Sequence, residues 1–138
     1  MEKITSFKHN CIIIRVRRES IDLRGSLYEA VRRCWRANIH RAQKAVYVLA
    51  IIGTPSEMNL EVQVIYKPDR RYYPTDEGLC KKKEKECLKA YKTDTSFCLE
   101  LLRIAFHGME ISKDTNYLHK LIPKTYFPLR NPVRFTYK

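Results

Sequence analysis

From Cys11 to Arg17 the side chains alternate with a period of two, and shortly afterwards the period becomes that of a helix. Ile12, Ile14 and Val16 fall on one side of the first segment and Ile13, Arg15 and Arg17 on the other, the pattern of a half-buried strand. Ser26, followed three residues later by Glu29, then forms a capping box that opens a helix. Leu27, Ala30, Val31 and Cys34 give that helix one apolar stripe. A chain that carries both periods so close together has to pack a helix stripe on a strand face, so it belongs among folds of mixed α and β structure.

The next segments extend this reading. Asn38 interrupts the helix and caps a short second one through Lys44. Tyr47–Ile52 is an apolar strand, residues 53–59 form a loop with Gly, Pro and Ser, and Leu60–Lys67 returns as a strand with Leu60, Val62, Val64 and Tyr66 facing inward. Pro68 is expected to stop it. The lysine-rich stretch Leu79–Lys92 reads as a solvated helix anchored by Leu79, Cys87, Leu88 and Tyr91. Phe97–Phe106 suits a helix by length, or a strand from Arg103 entering a turn at His107-Gly108. A short helix is expected over Tyr117–Ile122, ending before Pro123, and Pro132–Tyr137 alternates as a final strand. Strands and helices are not regularly interleaved, which disfavours a doubly wound parallel sheet. The expected fold is α+β, a small mixed or barrel-like sheet with packed helices, in one domain over residues 1–138.

With 138 residues, of which 44% are hydrophobic, the chain can bury about two thirds of its unfolded surface and needs no metal or disulfide to hold it. The apolar run Val46–Ile52 is too short to span a bilayer, and Met1–Ser6 has no apolar signal-peptide core. The five cysteines (Cys11, Cys34, Cys80, Cys87 and Cys98) include no CxxC pair and no histidine at zinc spacing. These features predict a cytoplasmic protein with free thiols, no metal, no cofactor and no membrane partner.

Charge narrows the partner. There are 27 Lys and Arg against 15 Asp and Glu, a formal net charge of +12, which favours a polyanion such as nucleic acid or a nucleotide. Two clusters combine arginine with aromatic rings, the pair of groups that grips phosphate and stacks on bases. On the capped helix, Tyr28 and Arg32 share one flank with Trp35 or Arg36. In a loop expected just after the Leu60–Lys67 strand, Arg70 and Arg71 precede Tyr72 and Tyr73. Arg130 and Arg134 flank the Asn131-Pro132 turn. Each cluster also has a plain structural reading: Trp35 as core, Glu29 paired with Arg33 at i, i+4, and the tyrosines folded back on a sheet edge.

Tyr28-Glu29-Ala30 followed by Arg32, Trp35 and Arg36, then the Tyr47-Val48-Leu49-Ala50 strand and the Asn131-Pro132-Val133-Arg134-Phe135-Thr136 tail, resemble a group of small bacterial proteins of unknown function. The likeness covers roughly half the chain and implies kinship without a mechanism. The loop over residues 53–59 is longer than the tight glycine turn that the group implies.

No Walker A loop, GxGxxG, HExxH or GxSxG is present. Glu61 and Lys67 sit on one strand but lack the acidic partner of a metal-dependent nuclease, and alternation turns Glu61 outward. His9, His40, His107 and His119 are scattered, so a general base would arise only where the fold brings groups together. Three functional classes fit: a nucleic-acid-binding module that reads unpaired or modified bases, a nuclease or nucleotide-acting enzyme, and a basic interaction protein that takes an acidic partner, such as a defence or phage accessory.

Overall fold

The computed structural model describes residues 2–32, 39–53, 61–75, 103–111, 116–123, 126 and 133–138. Within these the chain forms β1 (Cys11–Val16), α1 (Arg18–Arg24), α2 (Leu27–Arg32), α3 (Ile39–Ala42), β2 (Tyr47–Ile52), β3 (Val64–Thr75), β4 (Arg103–Ile111) and β5 (Val133–Phe135). The strands make one mixed sheet in the order β4-β3-β2-β1-β5. It is α+β as the sequence predicts, but the sheet is open rather than a barrel, because β4 and β5 lie at opposite ends. β1 and β2 are parallel, with Ile13 opposite Leu49, and the helices form the crossover between them. The other pairings are antiparallel.

Ser26 does open α2: its Oγ accepts the Glu29 N–H at 3.1 Å. Ahead of it lies α1, which ends at Gly25 with φ of 93°, a left-handed conformation suited to glycine, and the Gly25 N–H closes on the Ile21 carbonyl at 2.9 Å. Ala30 and Val31 of α2 and Ala42 of α3 pack on one sheet face with Ile12, Ile14, Val16, Val48, Ala50 and Tyr66. The opposite face is covered as well. There Ile4, Val62, Tyr117 and Ile122 close over Cys11, Ile13, Leu49, Ile51 and Ile65.

This second layer corrects the half-buried reading of β1, in which every residue is buried, Arg15 included. The guanidinium of Arg15 donates to the Gly53 carbonyl at 3.3 Å, and burial, followed by the charge of Arg17, lowers its pKa from the usual value. Pro68 does not stop β3. Past Tyr66 the strand has no register partner on β2 and pairs with β4 alone, so the missing proline N–H breaks no ladder on that side. His107-Gly108 is not a turn either but lies inside β4. Val62 packs on the face opposite Val64 and Tyr66, so the inward set read from alternation is split between two layers.

Residues 117–122 form no helix. Lys120 N–H closes a turn on the Tyr117 carbonyl at 3.1 Å, and Leu121 then bridges both Lys3 and Glu61. Backbone pairing to two other segments replaces the bonds a helix would have made internally. The tail does form a strand, β5, held against β1 by Thr136, whose Oγ1 accepts the Cys11 N–H at 2.9 Å. The Cys11 side chain is fully buried. The Leu79–Lys92 helix, the loop over residues 54–59, Asn38 and the other four cysteines lie outside the described residues. Among the described residues no helix is long and apolar enough to cross a membrane.

Candidate nucleic-acid interface

The α2 stripe docks on the sheet and leaves Tyr28 beside it, half-buried. The Tyr28 ring lies 5.3 Å from that of Tyr66, and its hydroxyl accepts the Gly108 N–H at 3.0 Å. At Gly108 the backbone of β3 comes close to β4: a Cβ there would sit 2.6 Å from the Lys67 carbonyl oxygen. Only a residue without a side chain fits. Beyond this point the register shifts between Pro68 and Tyr72, whose partners are Gly108 and Phe106. Three residues of β3, Asp69, Arg70 and Arg71, therefore stand against His107 alone, which makes a β-bulge. Tyr72 and Tyr73 follow it in register with Phe106 and Ala105.

One member of the helix cluster thus reaches the sheet beside the second cluster. Tyr28 reaches across to the strand residue at which the Arg70-Arg71 bulge begins. Arg32 completes the helix side, with its guanidinium carbon 5.9 Å from the Tyr28 ring centre and its Nε 3.0 Å from both Glu29 carboxylate oxygens. The pairing expected for Glu29 with Arg33 is thus made by Arg32 at i, i+3, while Arg33 lies outside the described residues. Beneath the helix, burial first, and then the charges of Glu110 and Tyr28, push the Tyr66 phenol up to about 12, so it stays neutral at physiological pH.

Arg134 is not part of this meeting. It lies on β5, three strands from β3, roughly 14 Å away at ordinary strand spacing. Its guanidinium carbon stands 5.2 Å from the ring centre of Tyr126. Trp35, Arg36 and Arg130 lie outside the described residues.

Some contacts were invisible in the sequence. Arg41 lies 4.3 Å over the ring of Phe135 and donates to the Tyr137 carbonyl at 2.6 Å, while the Tyr137 hydroxyl donates back to the Arg41 carbonyl. This reciprocal clasp joins α3 to the end of β5, and its only sequence sign is the Phe135-Thr136-Tyr137 alternation. His119, at φ of 60°, brings its Nδ1 to 3.6 Å from Glu61, a meeting of a histidine with a carboxylate that neither segment announces. The Tyr117 hydroxyl accepts the N–H groups of Lys8 and His9 at 3.0 and 3.2 Å. The same hydroxyl lies 2.9 Å from His9 Nδ1, a hydrogen bond whose direction follows the imidazole tautomer. Among the described residues no group of three His, Cys, Asp or Glu side chains could hold a metal ion. No family model, no curated protein and no solved structure matches the chain.

Proposed function

We propose that this protein binds nucleic acid through the β3–β4 bulge and the α2 flank beside it. The observation that carries this reading is the contact of Tyr28, with Arg32 beside it, to Gly108 at the edge of the bulge that holds Arg70 and Arg71, in a chain of net charge +12. Arg70 and Arg71 take phosphates, and Tyr72 and Tyr73 offer rings on which unpaired or modified bases stack. Trp35 and Arg36 follow Arg32 in the sequence. Arg32 contributes less to phosphate binding, because Glu29 already neutralises it.

Binding of single-stranded RNA and DNA against salt concentration tests the proposal. Each phosphate contact releases counterion, so Arg70→Ala and Arg71→Ala should each flatten the slope of log K against log salt by about 0.7 to 0.9. Arg32→Ala should flatten it by less. If both bulge variants fold and bind with wild-type affinity and slope, the bulge is not the interface. A preference for duplex over single strands would replace stacking with groove recognition by the β3–β4 ribbon.

A further inference from the structure

On the sheet face away from α2, the N-terminal segment and residues 116–120 enclose a cleft of about 240 Å³. We propose that this cleft binds a tetrahedral oxyanion of the phosphate monoester class. Three lysines line it, Lys3, Lys8 and Lys120, together with the hydroxyl residues Thr5 and Ser6. Glu2 is the one carboxylate in the lining, and it stands 3.4 Å from Lys120, so the cleft keeps an excess of positive charge. Gathering like charges is unfavourable by itself, and an anion held among them converts that repulsion into attraction. Lysine suits the task as a compact charge with three rotatable donors, and hydroxyls add neutral donors between the charges. The volume lies below the roughly 300 Å³ at which pockets for drug-sized ligands begin, which fits a single ion or one phosphate group.

The walls are built rather than draped. Leu121 N–H donates to the Glu2 carbonyl at 2.8 Å and Ile4 N–H to the Leu121 carbonyl at 2.9 Å, which fixes Lys3 beside the 120–121 backbone. Ile4 is buried, Phe7 stacks on Tyr117 at 5.6 Å, and the Lys8 amide is tied to the Tyr117 hydroxyl. Two apolar anchors therefore hold an arch on which Lys3, Thr5, Ser6 and Lys8 are exposed. The core accounts for Ile4 and Phe7 but for none of those four.

Titration of the isotopically labelled protein with inorganic phosphate, at ionic strength held constant with chloride, reads the site directly. The amide signals of Thr5, Ser6 and Lys8 should move saturably. Lys3→Gln, Lys8→Gln and Lys120→Gln should each weaken phosphate binding by about two- to fivefold, and the corresponding Lys→Arg variants should restore it. Arg70→Ala and Arg71→Ala should leave the titration unchanged, which separates this site from the proposed interface. A nucleoside 5′-monophosphate and an oligonucleotide with or without a 5′-phosphate then identify the source. Tighter binding of the phosphorylated oligonucleotide marks a strand end, and equal binding of the mononucleotide marks a free nucleotide. If phosphate moves no amide around the cleft, if chloride moves the same amides equally, or if the triple Lys→Gln variant titrates like wild type, the cleft is not an oxyanion site.

Discussion

The two halves of the sheet are held by different forces. At the β1/β2 centre both faces are closed, and Ile13, Leu49 and Ile65 lie side by side in register with no exposure. In the outer β3–β4 ribbon, past Tyr66, β3 has only β4 as a paired neighbour, and the close approach at Gly108 is fastened from the helix layer by one tyrosine hydroxyl. The centre rests on apolar area buried on both faces, whereas the ribbon buries Phe106 on the α2 side alone and otherwise rests on a few local fits. A surface for recognition can vary on the ribbon without unfolding the chain. The same variation at the centre would destroy the fold.

Leu49→Ala probes the centre and should have the largest effect. Removing a fully buried leucine should cost about 2 to 5 kcal/mol, a large share of the stability of a domain this size. Urea unfolding measures it, and nucleic-acid binding per folded molecule should be unchanged. A loss below about 1 kcal/mol would mean that the two layers close over the gap and the centre is not the rigid part. Gly108→Ala probes the ribbon. The new methyl would meet backbone atoms of Lys67 and Pro68 at 2.6 to 3.0 Å, none of which can swing aside, so the strands must part. The cost should be about 1 to 3 kcal/mol, and faster amide exchange should be confined to β3 and β4. Exchange that rises equally in β1 and β2 would erase the distinction between the halves.

The same contrast explains what the sequence let one read. β1, α2, β2 and β5 follow from local patterns: alternation, a capping serine with its stripe, an apolar run and a short alternating tail. The environment of those elements does not. Ile13 looks solvent-facing because the residues that cover its face, Val62, Tyr117 and Ile122 with Ile4, come mostly from distant parts of the chain. Pro68 and His107-Gly108 carry breaker and turn signals that prevail when a strand has neighbours on both sides or a free end. Here β3 leaves β2 at Tyr66, and β4 follows it past both signals. Both arginine–tyrosine clusters could be picked out by composition, whereas the reach of Tyr28 to Gly108 beside the bulge depends on a register that no local pattern encodes. The cleft of Lys3, Lys8 and Lys120 is hidden for the same reason, since Leu121 joins its two walls only through backbone pairing.

The smallest expected effect falls on the fastening between the layers. Tyr28→Phe keeps the ring against Tyr66 and under Arg32, and removes only the hydroxyl that accepts the Gly108 N–H. A hydrogen bond of this kind contributes about 1 kcal/mol, and the Gly108 amide is only partly buried, so water can replace part of the loss. Unfolding midpoints should therefore shift modestly, and the Gly108 amide should exchange faster while the β1 and β2 amides do not. Nucleic-acid affinity should fall with the salt slope unchanged, because no charge is removed and only the position of the bulge is loosened. A cost approaching that of Leu49→Ala would place the ribbon inside the same cooperative core as the centre. Unchanged affinity alongside faster exchange at Gly108 would instead show that the bulge recognises its ligand without help from α2, and would confine the interface to β3 and β4.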